Sequence, residues 1–283
     1  MDIVAKKSLG QNFLKDEAVL AHIIEAANLT KDDVVLEIGP GQGALTEKLA
    51  AVCKQVIAIE IDERMVELLH TKLVGNNPPA GGVEIIAGDI LKINLPELIS
   101  GYGFQASGYK VVANLPYYIT SPIIRLLLET KYPPAEMVVM VQKEVAERIV
   151  AKKGAMSILA VSVQYYAKAQ FLFTVFRQSF DPMPKVDSAV LKISSIASSP
   201  SGEDVRRTDE GSVASKEETK KFFRIVRAGF SAKRKTLINN LSNGLQLEKK
   251  EIEMKLVSLG FSPNTRAQEL GVEDWRKLAD ILN

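Results

Sequence analysis

The feature that most constrains the fold is an alternation of short apolar runs with amphipathic stretches, which begins at Val34 and continues to Ile193. The short runs have the length and composition of strands, and the stretches between them have helical spacing. Such alternation favours a mostly parallel, buried sheet with helices on both faces. The predicted strands are Val34–Ile38, Gln55–Glu60, Val83–Ala87, Lys110–Ala113, Met137–Val141, Ala169–Phe176 and Ala189–Ile193, and the predicted helices are Ala44–Val52, Glu63–Leu73, Ser121–Glu129 and Lys143–Lys152.

The pattern changes after the seventh strand. The turn residues Asp181, Pro182 and Pro184 separate the last two strands, which predicts an antiparallel end to the sheet. Ser194–Ser215 is rich in Ser and Gly and poor in apolar residues, as a linker is. We therefore expect a catalytic domain over 1–195, a linker over 196–215 and a helical domain over 216–283. The helices predicted there are Glu217–Phe230, Ala232–Leu241, Lys249–Leu259 and Val272–Leu282.

Composition narrows the class of protein. Hydrophobic residues make up 46% of the 283 and charged residues 25%, and no apolar run approaches the ~20 residues of a membrane span. The N-terminus lacks the apolar core of a signal peptide, and the single Cys53 excludes a disulfide framework. Neither Cys nor His is grouped for a metal site. We therefore expect a cytoplasmic protein that needs no metal.

A glycine-rich loop follows the first strand, in the sequence Glu37-Ile38-Gly39-Pro40-Gly41-Gln42-Gly43. An ordinary tight turn is possible, but three glycines after a buried strand favour close approach of a ligand. Gly39, Gly41 and Ala44 also match the dinucleotide fingerprint, and Glu60 has the spacing of an acid that binds a ribose. Glu37 favours a cationic ligand, S-adenosylmethionine, over a pyrophosphate.

Two further strands end in residues that can bind such a ligand or its methyl acceptor. Asp89 can accept a hydrogen bond from the adenine amine of the cofactor, although alone it fits a helix cap or turn equally well. Asn114-Leu115-Pro116-Tyr117 is the most specific motif in the chain. The Asn114 side-chain oxygen and the Leu115 carbonyl can accept from both N–H groups of an adenine amine, and the Tyr117 ring can stack on the base.

With these motifs the sequence resembles the ribosomal RNA adenine N6,N6-dimethyltransferases, and specifically the bacterial small-subunit branch. The resemblance covers nearly the whole chain. It implies a class I S-adenosylmethionine-dependent methyltransferase fold, which is Rossmann-like with a mostly parallel seven-stranded α/β sheet, and a small C-terminal α-helical domain. The motifs that carry the resemblance are Ser8–Leu14, Glu37–Gly43, Gly88–Ile90, Asn114–Tyr117, Phe180–Ser188 and Phe230–Thr236.

The resemblance also implies roles for individual residues. Asn12 and the Leu14 backbone would touch the methionine end of the cofactor, while Gly39, Gly41 and Gly43 would shape its loop. Glu60 would bind the ribose, Asp89 the cofactor's adenine, and Asn114 both the cofactor and the target amine. Phe180 would form the second wall of the target-base pocket, opposite Tyr117. This sequence departs from the family in having Met183 where Pro is usual and in a shortened loop at Gly154.

The implied substrate is a pair of adjacent adenosines in the hairpin near the 3′ end of 16S rRNA, within the small ribosomal subunit. Each would receive two methyl groups, with a role in small-subunit biogenesis. Residues 184–283 carry a net charge of +4 against −2 for residues 1–183, so the basic excess lies where RNA could bind. The residues expected to contact phosphates are Arg224, Arg227, Lys233, Arg234 and Lys235, with a solvated helix face as the alternative.

Two other functions remain open, and a third lacks support. The sister enzymes that methylate a large-subunit adenine share most motifs, although Gly39–Gly41, Asn114–Tyr117 and Val186–Ala189 resemble the small-subunit branch more closely. A nicotinamide dehydrogenase lacks support because no acid–base pair for hydride transfer is present. An assembly factor that acts mainly by binding small subunits is compatible with catalysis. We expect a monomer.

Overall fold

The computed structural model describes residues 5–6, 9–74, 82–103, 108–196, 206–207, 213–214 and 216–282. The chain divides into two compact units. Unit 1 combines Met1–Ala146 with Ala167–Pro200, and unit 2 combines Glu147–Tyr166 with Ser201–Asn283. This division differs from the expected boundary near residue 195, because a segment from the middle of the chain groups with the C-terminal helices. Most of the expected linker, 196–215, lies outside the described residues.

Unit 1 contains a seven-stranded sheet in the order β4-β3-β2-β5-β6-β9-β7. Neighbouring strands from β4 to β6 are parallel, whereas β9 lies between β6 and β7 and is antiparallel to both. The sequence predicted the antiparallel end but not the insertion of the last strand between its neighbours. The strands of this sheet are β2 (Val34–Ile38), β3 (Gln55–Glu60), β4 (Gly82–Ala87), β5 (Lys110–Asn114), β6 (Glu136–Gln142), β7 (Lys168–Val175) and β9 (Ser188–Ser194).

A second, two-stranded sheet joins distant parts of unit 1. In it β1 (Phe13–Leu14) pairs antiparallel with β8 (Phe180–Asp181). The same two segments are also held together by the Lys15 ammonium, which lies 2.5 Å from the Asp181 carboxylate, and by the Ser179 hydroxyl, which donates to Asp16 at 2.8 Å. The N-terminal segment is thereby fixed to the loop between β7 and β9.

Aspartate N-caps start two helices of unit 1. Asp16 caps α1 (Glu17–Ala27) by accepting from the Ala18 and Val19 N–H groups, and Asp62 caps α3 (Glu63–Leu69) through the Arg64 N–H. A π-helical turn over His70–Val74 continues α3. The remaining helices are α2 (Ala44–Val52), α4 (Leu95–Gly101), α5 (Thr120–Glu129) and α6 (Lys143–Ile149), of which the last continues into unit 2.

The core of unit 1 lies on both faces of its central strands. Every residue of β2 is buried, which explains why its sequence VVLEI is a continuous apolar run interrupted only by Glu37. Leu20 and Ile23 of α1 cover one face, and His22 packs edge-on against Phe173 with ring centroids 5.8 Å apart. Burying an acid in such a strand costs free energy unless the acid is paired with a donor or an opposite charge. Glu37 is therefore a candidate for a position that binds a ligand.

Unit 2 is helical, and it contains α7 (Ile158–Tyr166), which the sequence pattern does not predict. Its Tyr165 ring stacks on Phe222 at 4.4 Å, and Trp275 is fully buried beside Phe230. The short loop at Gly154 is closed by main-chain hydrogen bonds, since the N–H groups of Gly154 and Met156 both donate to the Gln268 carbonyl. The C-terminal helices are α8 (Lys216–Gly229), α9 (Leu237–Leu245), α10 (Lys249–Ser258) and α11 (Val272–Leu282).

One helix of unit 2 begins later than expected. The sequence predicted a helix over Ala232–Leu241 that would start with Lys233, Arg234 and Lys235. Instead Thr236 is the N-cap, with its hydroxyl accepting from the Asn239 N–H, and α9 begins at Leu237. The three basic residues therefore lie in the turn between α8 and α9. Within the segment expected as a linker, β10 (Arg206–Arg207) and β11 (Val213–Ala214) form a short antiparallel pair.

Candidate active site

A pocket opens at the carboxyl ends of the parallel strands of unit 1. Ligands of open α/β sheets bind at this edge, because the loops that follow the strands converge there. The pocket is lined by residues 9–14 of the N-terminal segment, 37–42 after β2, 59–61 after β3, 88–90 after β4 and 114–119 after β5, together with Leu20, Ala44 and Leu45.

The three glycines of the loop after β2 have different structural roles. Gly39, Gly41 and Gly43 all have positive φ angles, of 70°, 56° and 83°. Gly39 and Gly41 line the pocket, and a Cβ on Gly41 would lie 3.1 Å from the Phe13 ring. Gly43 does not line it. A Cβ there would lie 2.8 Å from Leu69 Cδ2, so Gly43 permits α2 to pack on α3 and is not placed as a cofactor contact.

The acid at the end of β3 is oriented by backbone donors. Glu60 is 4% exposed, and its two carboxylate oxygens accept from the Gly41 N–H at 3.1 Å and the Asp62 N–H at 2.9 Å. Burial raises the pKa of Glu60, and these hydrogen bonds oppose the rise. The carboxylate is thus fixed at the pocket wall, and its remaining lone pairs can accept from hydroxyl groups of a ligand.

Glu37 presents a different environment in the same pocket. It is 1% exposed, and its Oε2 atom has no hydrogen-bond partner in the described part of the chain. Burial raises the pKa of Glu37 to about 8; the nearby Thr46 hydroxyl opposes this rise and the Glu60 charge adds to it. Two buried carboxyl groups in one pocket, one of them with an unpartnered oxygen, fit a ligand that carries positive charge. A sulfonium-bearing cofactor meets this requirement.

Asp89 forms a turn and also lies at the pocket, so both interpretations of its sequence position fit its place in the fold. It lines the pocket, and its Oδ1 accepts from the Leu91 N–H at 3.0 Å, as expected of a turn former. Its Oδ2 lies 3.7 Å from the exposed Lys92 ammonium. The carboxylate therefore has acceptor capacity left for an amine in the pocket.

The tetrapeptide after β5 lies beside the N-terminal segment. The Asn114 Nδ2 atom donates to the Asn12 carbonyl at 3.5 Å, whereas the Asn114 Oδ1 atom is buried without a partner among the described residues. The Leu115 N–H donates to the Met140 carbonyl, and the Pro116 carbonyl accepts from both Ile119 and Thr120. This turn is held by its own hydrogen bonds, while an acceptor oxygen of Asn114 is left for a ligand.

Two predicted site residues outside this turn have contrasting positions. Leu14 lines the pocket, as expected of a cofactor contact. Phe180, expected as a wall of the target-base pocket, is 4% exposed, belongs to the hydrophobic core and is absent from the lining. In the pairing of β1 with β8, Phe180 lies opposite Leu14, and both residues belong to the core cluster of unit 1.

A buried carboxylate fastens the N-terminal segment next to the pocket. The Asp62 side chain is fully buried and accepts from Lys6 Nζ at 3.0 Å, Gln11 Nε2 at 3.0 Å and Arg64 at 2.6 Å. The Gln11 Oε1 atom in turn accepts from the Lys6 N–H at 2.7 Å. The Arg64 guanidinium, followed by Lys6 and Gln11, holds the pKa of Asp62 well below its usual range. The segment that carries Asn12 is thereby anchored to the turn after Glu60.

Sequence reasoning did not identify the anchoring or hydrogen-bonding roles of Gln11, Asp62 and Ser188. Gln11 belongs to a motif that was recognised, and Asp62 follows Glu60 by two positions, so their proximity to the site was visible in the sequence. The hydrogen-bond partners of these residues were not visible in the sequence. Gln11 and Asp62 are 51 positions apart, and Ser188 and Tyr117 are 71 positions apart. Only the fold brings these residues together.

The basic residues expected to contact RNA are all exposed in unit 2. Arg224 and Arg227 lie on the outer side of α8, whose opposite side buries Phe222, Phe223 and Val226. The stripe of apolar residues on this helix is therefore core. Lys233, Arg234 and Lys235 are exposed in the turn before α9. Within the described ranges no cluster of three or more His, Cys, Asp or Glu residues could hold a metal ion, and no helix there is long and apolar enough to cross a membrane.

Comparisons with known proteins agree with this geometry. Residues 4–283 match the family described as ribosomal RNA adenine dimethylase. Ribosomal RNA small subunit methyltransferase A of Dehalococcoides mccartyi is 44% identical to the chain, covering 97% of it and 87% of the relative. The protein of that name from Geobacillus kaustophilus is 43% identical, covering 98% of the chain and 90% of the relative.

Two solved structures are similar to this chain over nearly its whole length. A dimethyladenosine transferase from Plasmodium falciparum has a TM-score of 0.72 at 31% identity, covering 94% of this chain and 95% of its own. The 23S rRNA methyltransferase ErmE has a TM-score of 0.70 at 28% identity, covering 95% and 98%. The predicted class I S-adenosylmethionine-dependent methyltransferase fold, with a helical C-terminal region, is confirmed, and the family implies S-adenosylmethionine as the methyl donor. The chain belongs to the ribosomal RNA adenine dimethylase family.

Proposed function

We propose that this protein transfers methyl groups from S-adenosylmethionine to N6 of two adjacent adenosines in the hairpin near the 3′ end of small-subunit rRNA. The product is N6,N6-dimethyladenosine, formed on the small ribosomal subunit. The observation that carries the proposal is the buried, unpartnered Oδ1 of Asn114 at the pocket edge, since it is an acceptor placed for an amine donor. The names of the Dehalococcoides and Geobacillus relatives support the small-subunit substrate.

The chemistry of the acceptor nitrogen explains why such an oxygen is needed. The lone pair of the adenine amine is delocalised into the ring, so the nitrogen is a poor nucleophile. Hydrogen bonds from both amine hydrogens, to Asn114 Oδ1 and to the Leu115 carbonyl, favour tetrahedral geometry and localise the lone pair. S-adenosylmethionine supplies, when bound, an electrophilic methyl group on its sulfonium. As the nitrogen gains that methyl it becomes acidic and loses its proton to water, so no strong base is required.

The other pocket residues have binding roles in this proposal. Glu60 accepts from the ribose hydroxyls and Asp89 from the adenine amine of the cofactor. Asn12 and Leu14 contact its methionine end, and Gly39 and Gly41 allow the backbone to approach it closely. The positive charge of the cofactor favours the ionised form of Glu37, whose buried Oε2 atom has no partner in the described part of the chain.

The substrate RNA is held by two kinds of contact. The exposed cations Arg224, Arg227, Lys233, Arg234 and Lys235 bind phosphates, which gives affinity without sequence preference. The Tyr117 ring stacks on the target base after it leaves its helix. We place this activity in the cytoplasm and expect a monomer to perform it, with a role in small-subunit biogenesis.

The structural similarity to ErmE makes large-subunit rRNA the alternative substrate. Identity favours the small subunit, because the Dehalococcoides relative is 44% identical and ErmE 28%. A protein that acts mainly as an assembly factor would bind immature small subunits and methylate them weakly or not at all.

The test is methyl transfer from labelled S-adenosylmethionine to small subunits that lack their adenine dimethyl marks. Large subunits, DNA and fully modified small subunits serve as controls. We expect incorporation only into unmodified small subunits, as dimethyladenosine, and a loss of at least about a hundredfold with Asn114→Ala. Incorporation into large-subunit RNA would favour the alternative substrate, and full activity of Asn114→Ala would refute the role given to Asn114.

A further inference from the structure

The Tyr117 hydroxyl is bonded to a residue that the proposed mechanism does not use. Its oxygen lies 2.6 Å from Ser188 Oγ, and either atom can be the donor. Ser188 is fully buried, and the Tyr117 side chain lies partly within the pocket. The bond joins the tetrapeptide after β5 to the first residue of β9, 71 positions away in the chain.

Ser188 is held in place from several directions. It lies between two neighbouring strands, opposite Gln142 of β6 and Val175 of β7. The preceding residue, Asp187, accepts from the Lys143 N–H through its carbonyl and from the Arg177 N–H through its carboxylate, both at 3.0 Å. The Ser188 hydroxyl is therefore a fixed point against which a more mobile group can be oriented.

The Tyr117 ring is the group that the Ser188 hydroxyl can orient. The backbone of Tyr117 is held by the hydrogen bonds around the Pro116 carbonyl, but these leave rotation of the ring about its side-chain torsions unconstrained. A bond at the far end of the ring, to Ser188, removes that freedom. Burial also raises the pKa of Tyr117, so the phenol stays neutral and does not act as a base.

We propose that Ser188 is a positioning residue for the methyl-acceptor base, because it holds the Tyr117 ring in the orientation on which the adenine stacks. This inference rests on the function proposed above. It assigns to the late motif of the chain a role on the acceptor side of the pocket that Phe180, buried in the core, does not fill.

The second methyl transfer is expected to depend on the Tyr117 ring more than the first. Unmodified adenine has two amine hydrogens to donate, to Asn114 and to the Leu115 carbonyl. After one methylation a single N–H remains, so one of these hydrogen bonds is lost and the orientation of the base depends more on stacking. Loosening the Tyr117 ring is therefore expected to slow the second transfer more than the first, and monomethyladenosine is expected to accumulate.

The experiment compares wild type, Ser188→Ala, Tyr117→Phe and the double variant on unmodified small subunits. The measurements are kcat, KM and Kd for S-adenosylmethionine, and the ratio of monomethyladenosine to dimethyladenosine at fixed turnover. Ser188→Thr tests rescue because it keeps the hydroxyl. Ser179→Ala is the matched control, since its hydroxyl is bonded to Asp16 and not to Tyr117.

We expect each single variant to lower kcat for the second transfer by about five- to tenfold, as for loss of one hydrogen bond, with Kd for the cofactor unchanged. The double variant should lose no more than either single one, because both remove the same bond. The monomethyl fraction should rise in all three and stay at the wild-type value in Ser188→Thr and Ser179→Ala.

Other outcomes would overturn the proposal. Additive losses in the double variant would mean that Ser188 does not act through the Tyr117 hydroxyl. A fall in kcat with an unchanged monomethyl fraction would mean that Ser188 does not position the acceptor base. If the wild type forms dimethyladenosine and the variants match it, the positioning role alone is wrong. If the wild type methylates no small subunit, the proposed function fails and the inference fails with it.

Discussion

Glu37 and Asn114 each keep a buried side-chain oxygen without a partner in the described part of the chain. Leaving a buried acceptor unpaired costs about 1–3 kcal/mol, so such atoms are expected where a ligand supplies the missing donor or charge. Both residues line the pocket at the carboxyl ends of the strands. At the scale of single residues, the pocket is thus polar in the places where the proposed ligands carry donors or positive charge.

Glu37 gives a prediction about pH and stability. Burial raises the pKa of Glu37 to about 8, so it is neutral in the folded protein but ionised in the unfolded chain above its ordinary pKa of 4.5. Its contribution to stability is therefore full below that ordinary value and is lost as the pH rises through about 8. Glu37→Gln removes the titrating group, so the variant should gain thermal stability relative to wild type as the pH rises from 5 to 8.

The measurement is the Tm difference between variant and wild type at both pH values, in the absence of cofactor. We expect the difference to shift by up to about ten degrees, because each of the three pH units changes stability by at most about 1.4 kcal/mol, or about 4 kcal/mol in all. Glu67→Gln is the control, since Glu67 is exposed on α3 and its removal should leave the pH dependence unchanged. An equal Tm difference at both pH values would show that Glu37 is ionised in the folded protein.

At the scale of elements, Asp62 connects the cap of α3 to the N-terminal segment that lines the pocket. Asp62→Asn removes the charge that attracts Lys6 and Arg64, and should loosen this segment. We expect S-adenosylmethionine to bind about tenfold more weakly, which corresponds to roughly 1.4 kcal/mol, together with a lower Tm. Titration calorimetry measures the first quantity and thermal unfolding the second.

The matched control for this change is Asp181→Asn. It is the same substitution and also breaks an ion pair, with Lys15, but the Asp181 side chain is 66% exposed. Exposed pairs contribute little, so cofactor binding should stay near the wild-type value. Equal effects of the two substitutions on cofactor binding would contradict the anchoring role of Asp62.

The packing of α2 on α3 gives a second prediction at this scale. Gly43 has a φ of 83°, and a Cβ there would lie 2.8 Å from Leu69 Cδ2. Gly43→Ala therefore adds both backbone strain and a steric overlap, and we expect a loss of roughly 2–4 kcal/mol in unfolding free energy. Gly103→Ala is the control, because Gly103 has a φ of 74° but no neighbouring atom within 4 Å. Denaturant unfolding should show the smaller loss for Gly103→Ala, and equal losses would mean that strain alone matters.

The elements also show how far sequence reasoning reaches. The bounds of α2 and α11 were predicted without error, because their amphipathic spacing and flanking residues are clear. α7 was not predicted, since Ala160, Val161, Val163, Tyr165 and Tyr166 are all buried and leave no apolar stripe with helical period. α1 was missed although Asp16 gives it a recognisable N-cap. α9 begins late because Thr236, and not a residue before the basic cluster, caps it.

The site residues likewise divide into those that local sequence locates and those that only the fold brings together. Glycines, acids and the tetrapeptide after β5 were located because each follows a strand, and strand ends meet at one edge of a parallel sheet. Phe180 was assigned to the pocket from resemblance, but the β1–β8 pairing places it in the core. Pairings between distant segments, such as Tyr117 with Ser188, depend on tertiary structure, and local pattern carries no signal for them.

At the scale of the whole molecule, the two units divide the proposed work between chemistry and RNA affinity. The pocket residues all belong to unit 1, whereas the exposed cations expected to bind phosphates belong to unit 2. The net charge follows this division, since residues 184–283 carry the basic excess. RNA affinity should therefore be sensitive to salt through unit 2 and cofactor affinity should not.

Phosphate contacts release counterions, so the logarithm of the RNA association constant falls linearly with the logarithm of salt concentration, by about 0.7–0.9 per contact. If Arg224 and Arg227 bind phosphates, Arg224→Gln with Arg227→Gln should make that slope shallower by about 1.4–1.8 and weaken binding most at low salt. Lys249→Gln with Lys250→Gln removes the same charge from exposed positions of the same unit, at the start of α10. When the binding of small-subunit rRNA is measured from 50 to 300 mM salt, the slope for this control should stay near that of the wild type.

Equal changes in both pairs would mean that only the total charge of unit 2 attracts RNA. A change confined to the α8 pair would assign that face of the helix to the phosphate backbone, since a diffuse field cannot distinguish two pairs of equal charge.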